Sequence, residues 1–68
     1  MTITDLYLPQ LTQSVSSQLE VVDALRFALT EQQAASGNHI EQEVLQAQLD
    51  RFTAIAANLN KALEDLAA

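Results

Sequence analysis

The stretch LQAQLDRFTAIAANLNKALEDL, residues 45–66, decides the fold. Within it Leu45, Leu49, Phe52, Ala56, Leu59, Leu63 and Leu66 recur at alternating spacings of four and three, which is the seam of a helix packed against another helix. A strand would alternate every second residue, and a disordered segment would show no period. The first half of the chain follows the same rule in Leu8, Leu11, Val15, Gln18, Val22, Leu25 and Leu29, and Gly37-Asn38 lies between the two runs. Paired as Leu29/Leu45, Leu25/Leu49, Val22/Phe52, Gln18/Ala56, Val15/Leu59, Leu11/Leu63 and Leu8/Leu66, the residue numbers always sum to 74. That constancy is what folding back about residue 37 requires. The expected fold is all-α, an antiparallel two-helix hairpin forming one domain over residues 1–68, completed by self-association or by a helical partner.

The punctuation agrees with two helices. Pro9 suits a first helical turn, where its missing N–H costs nothing, so helix 1 is expected over about 9–36. Residues 1–8, with Ile3, Leu6, Tyr7 and Leu8, then form a semi-independent apolar segment. Ser17-Gln18-Leu19-Glu20 has the form of a capping box and offers a later start. Gly37 is placed to cap helix 1 in the left-handed conformation. Asn38 is placed to cap the N-terminus of helix 2, with Glu41 three residues on. Helix 2 is expected over about 39–66. Fraying is expected after Leu63, because Glu64 and Asp65 sit at the negative end of the helix dipole.

A chain of 68 residues buries only about 60 per cent of the surface that its unfolded form exposes. Small domains offset that shortage with disulfides, a metal or association, and this chain has no cysteine and one histidine. Association is the remaining route. Nine acidic residues against three basic ones give a net charge of −6, and Arg26, Arg51 and Lys61 are scattered. Phosphate backbones and anionic lipids need clustered positive charge, so the expected partner is a protein and neither nucleic acid nor membrane. The first residues carry no basic group and no continuous apolar run, the features of a secretory signal or a membrane-spanning helix. With no cysteine, the expectation is a soluble cytoplasmic protein.

The seam of this hairpin is expected to be Leu11, Val15, Val22, Leu25 and Leu29 against Leu45, Leu49, Phe52, Leu59 and Leu63. Gln18 falls inside it, where a buried amide must find a partner. Helix 2 carries a second apolar row, Val44, Ile55 and Ala62, interrupted by Arg51. Phe27 falls among Ser16, Glu20, Asp23 and Glu31, the wettest side of helix 1, flanked by Val21, Ala24 and Ala28. Two readings of Phe27 stand, an isolated exposed aromatic or an anchor for a partner's pocket. The residues expected to meet a partner are Leu19, Val21, Phe27, Val44 and Ile55.

Chemistry is sparsely represented. His39, Glu41 and Glu43 are too few and too mixed for a closed metal site, and a solvated helix start accounts for them. With neither a cysteine nucleophile nor a glycine-rich phosphate loop, no enzyme activity and no cofactor are expected. Ser17-Gln18-Leu19-Glu20 and Ala24-Leu25 in helix 1, the turn at Gly37, and Gln48-Leu49 and Ala54-Ile55 in helix 2 resemble the small hairpin co-chaperones of type III secretion needle subunits. The resemblance implies a cytoplasmic protein without catalytic residues that pairs with a helical-repeat chaperone and helps keep a polymerising needle subunit soluble. The alternative is a homodimeric four-helix-bundle regulatory protein. An RNA-binding version of it would need Arg26, Arg51 and Lys61 aligned on one face.

Overall fold

The computed structural model describes residues 3–68, with side-chain surroundings from Asp5 onward. Two helices fold back on each other, α1 (Ile3–Ala35) and α2 (His39–Ala67), in a hairpin of 57 × 14 × 13 Å. No strand occurs among the described residues.

Helix α1 starts six residues earlier than its proline suggests and carries Pro9 inside it. Proline removes one intrahelical hydrogen bond, but so near the end of a 33-residue helix this loss does not outweigh the turns on either side. The described part of the apolar N-terminal segment, residues 3–8, is therefore continuous with α1, while Met1 and Thr2 lie outside the described residues. At the other end α2 runs through Glu64 and Asp65 to Ala67 without fraying, because Leu63 and Leu66 are still half-buried there.

The turn is held by side chains. Asn38 is the N-cap of α2 with φ −100° and ψ 119°, and its Oδ1 accepts from the backbone N–H of Ile40 at 2.9 Å and of Glu41 at 3.1 Å. Those bonds satisfy two of the orphan donors at the helix start. The end of α1 departs from the expected left-handed glycine cap, since Gly37 has no positive φ. Instead the Ser36 N–H closes the last turn on the Gln33 carbonyl at 3.2 Å. The Ser36 carbonyl accepts from Gln42 Nε2 at 2.6 Å, and the Asn38 N–H donates to Ser36 Oγ at 3.2 Å. With its carbonyl supplied from α2, the end of α1 needs no left-handed residue.

The seam residues Leu45, Leu49, Phe52, Ala56, Leu59, Leu63 and Leu66 of α2 are all buried or half-buried, led by Ala56 at 3% and Leu45 at 6% exposure. Helix α1 presents a different stripe from the expected one. Its half-buried residues are Leu8, Val15, Leu19, Val22, Arg26, Leu29, Gln33 and Ser36. Leu11 and Leu25, expected in the seam, are 50% and 43% exposed, and Gln18 is exposed as well. Leu19, expected outside, faces α2 instead. Both stripes share the column Val15, Val22 and Leu29, so a modest rotation of α1 exchanges one for the other.

Three contacts give the physical reason for the rotation. Outside the seam the Gln18 amide stays hydrated and donates to Ser14 Oγ at 3.4 Å, which avoids the cost of burying it. Arg26 lays its stem along the seam and turns its guanidinium out to Asp23 at 3.1 Å. Gln33 Nε2 reaches across to the Gln42 carbonyl at 3.2 Å and to Gln46 Oε1 at 3.0 Å, tying the helices together next to the turn. The register moves with the rotation. The half-buried positions pair as Val15/Leu63, Leu19/Leu59, Val22/Ala56, Arg26/Phe52, Leu29/Leu49, Gln33/Leu45 and Ser36/Gln42, with a constant sum of 78 in place of 74.

Two substitutions test this arrangement by urea denaturation followed by circular dichroism. Leu45→Ala should cost about 2–5 kcal/mol, and Leu19→Gln about 1.5–3 kcal/mol, whereas an outward-facing Leu19 would make the second change nearly neutral. At the turn a Cβ on Gly37 meets nothing within 4 Å. Gly37→Ala should therefore raise stability by about 0.4–1 kcal/mol through the unfolded chain, where a left-handed glycine would make it destabilising.

Candidate docking groove

Rotating α1 moves apolar residues out of the seam and collects them on one side of the hairpin. Val21 and Leu25 of α1 and Ile55 of α2 form the rim of a shallow groove. Its floor is made of Val22, Leu29, Phe52 and Leu59. The groove consists of two depressions that meet at Ile55. One is bounded by Ser17, Gln18 and Val21, the other by Leu25, Gln48 and Arg51. Along the same flanks, by the helical repeat of about 100° per residue, lie Leu11 of α1 and Val44 of α2.

The groove nearly lacks charge. At the same repeat, Glu20, Asp23 and Glu31 of α1 and Glu43, Asp50 and Glu64 of α2 project from the other sides of their helices. Arg51 is the charged residue at the rim, and it makes no ion pair among the described residues. The acidic field of the chain therefore falls on its outer surface and leaves an apolar strip open to solvent.

The residues expected to meet a partner separate into three groups. Val21 and Ile55 line the groove, and Val44, 53% exposed, continues its α2 flank toward the turn. Phe27 is 67% exposed and stands away from the groove, on the outer side of α1. Leu19 belongs to the seam. Leu11 and Leu25 were assigned to the seam by spacing and instead belong to the open face; their signal lay in the existence of two overlapping stripes on α1.

His39 Nε2 lies 3.1 Å from Glu43 Oε1, with both side chains largely exposed. No group of three His, Cys, Asp or Glu residues that could hold a metal ion occurs among the described residues. No helix among them is long and apolar enough to cross a membrane. Comparison with protein families, curated proteins and solved structures returned no match.

Phe27 touches neither the seam nor the groove in this arrangement. Phe27→Ala should change the unfolding free energy by less than about 0.5 kcal/mol, measured by thermal and urea denaturation. A loss of several kcal/mol would place the ring in the core and require a different rotation of α1.

Proposed function

We propose that this chain is a non-catalytic protein-interaction module, an adaptor or small co-chaperone whose groove receives an apolar helix. The observation that carries this reading is the uncharged strip of Val21, Leu25 and Ile55 left open beside the seam. A helix laid between two helices buries its apolar face by ridges-into-grooves packing, and an acidic outer surface keeps the unoccupied module soluble. Phe27 supplies a second, separate contact on the outer surface. The resemblance to the hairpin co-chaperones of type III secretion needle subunits points the same way, toward cytoplasmic work with a helical protein partner. The acidic balance, with Arg26, Arg51 and Lys61 dispersed, favours protein over nucleic acid as that partner.

The test compares complexes purified through a tagged chain co-expressed with an untagged copy in its native host. The wild-type chain should retain a stoichiometric helical partner, whether a second copy or another protein. Val21→Lys and Ile55→Lys should each lose it by tenfold or more, about 1.4 kcal/mol, while far-UV circular dichroism still reports helix. Retention of the same partner at equal stoichiometry by both helical variants would contradict the proposal.

A further inference from the structure

We infer that the occupant of the groove is a second copy of this chain, packed face to face about a two-fold axis into a four-helix bundle. The inference rests on the reading of the groove as a helix-docking surface and names what fills it.

The first argument is area. A folded chain of 7.4 kDa ordinarily exposes about 4,200 Å², and this one exposes 5178 Å². The surplus of about 1,000 Å² matches what one partner buries in a standard-sized interface, about 800 Å². With only Leu45 and Ala56 fully buried among the described residues, the hairpin alone has little core.

The second argument is symmetry. A two-fold interface is isologous, so the same patch must complement itself. If two hairpins meet groove to groove, α1 of one lies parallel to α2 of the other, and a constant offset must carry contacts on the first helix onto contacts on the second. The exposed groove flanks satisfy this condition. Tyr7 and Ile40, Leu11 and Val44, and Gln18 and Arg51 are each offset by 33, and Val21 and Ile55 by 34. Apolar meets apolar at three of these levels. At the fourth, the Gln18 carboxamide oxygen meets the Arg51 guanidinium, which has no ion-pair partner within its own chain among the described residues.

The third argument is charge. Two copies each carrying −6 repel through any surface that juxtaposes their acids, and the groove is the apolar face from which the mid-helix acids project away. The dimer leaves Phe27 on its outside, free for a different partner.

Cysteines at Leu11 and Val44 separate this arrangement from others. In a single hairpin Val44 lies level with residue 34 of α1 by the register above, 23 residues from Leu11, or about 35 Å along the helix, so no link can form within one chain. Under mild oxidation Leu11→Cys/Val44→Cys should become a covalent dimer, Leu11→Cys or Val44→Cys alone should not, and wild-type chain should sediment at twice its monomer mass at micromolar concentration. Gln18→Glu should tighten that dimer several-fold although it makes the chain more acidic, because it faces Arg51 across the interface. A folded double variant that stays unlinked, equal linking by the single variants, a monomeric wild type, or weakening by Gln18→Glu would each overturn the inference. A monomeric wild type that still binds another helix and loses it in Ile55→Lys would leave the docking role standing without the dimer. Loss of neither self-association nor partner binding in Ile55→Lys would remove both.

Discussion

Two helices can share only one line of contact, and everything else in this molecule follows from how that line is spent. A third helix would cover the flanks; here there is none, so each residue turned toward the seam leaves its neighbour a few positions away in solvent. Helix α2 offers one stripe with a polar opposite face and buries it. Helix α1 offers two overlapping stripes, and the choice between them settles both what holds the hairpin together and what remains open. Facing α2 with Leu19, Arg26 and Gln33 keeps the Gln18 amide in water and gains the cross-helix bonds of Gln33 and Gln42 beside the turn. The same rotation leaves Leu25 with Val21 and Ile55 along the groove.

This explains which parts were legible in the sequence. The two-helix hairpin and the seam of α2 could be read because one apolar period dominates that half of the chain. Asn38 could be read because a capping side chain announces itself next to a breaker. The α1 seam could not, since counting apolar positions favours Leu11, Gln18 and Leu25 over Leu19, Arg26 and Gln33, and such a count gives no weight to a long polar side chain that packs its stem or bonds across the interface. The conformation of Gly37 was hidden for a related reason, because the carbonyl that a glycine cap would serve is supplied by Gln42 from the other helix. Pro9 marked a helix start that the continuous α1 overrides.

The open face was half legible. Val21, Val44 and Ile55 stood out as apolar residues that one neighbouring helix could not cover, and they lie exposed. Their alignment with Leu11 and Leu25 depended on the rotation of α1 and so emerged only with the fold. Phe27 kept its anomalous place on the outer surface, separate from the groove, which gives this short chain two distinct apolar features outside its seam. The proposed role as a helix-binding adaptor and the proposed pairing of two copies both draw on that separation of surfaces.

The rotation and register of α1 are the central claim, and one pair of intrachain cross-links reads them directly. Ala56 is the most buried residue of α2, so a cysteine there reports which residue of α1 lies opposite. Val22→Cys/Ala56→Cys should close a disulfide within the monomer under mild oxidation, seen as faster migration of the unreduced chain, while Gln18→Cys/Ala56→Cys should remain reduced. Closure of the Gln18 pair with the Val22 pair left open would restore the sum of 74, return Leu11 and Leu25 to the seam, and contradict the account.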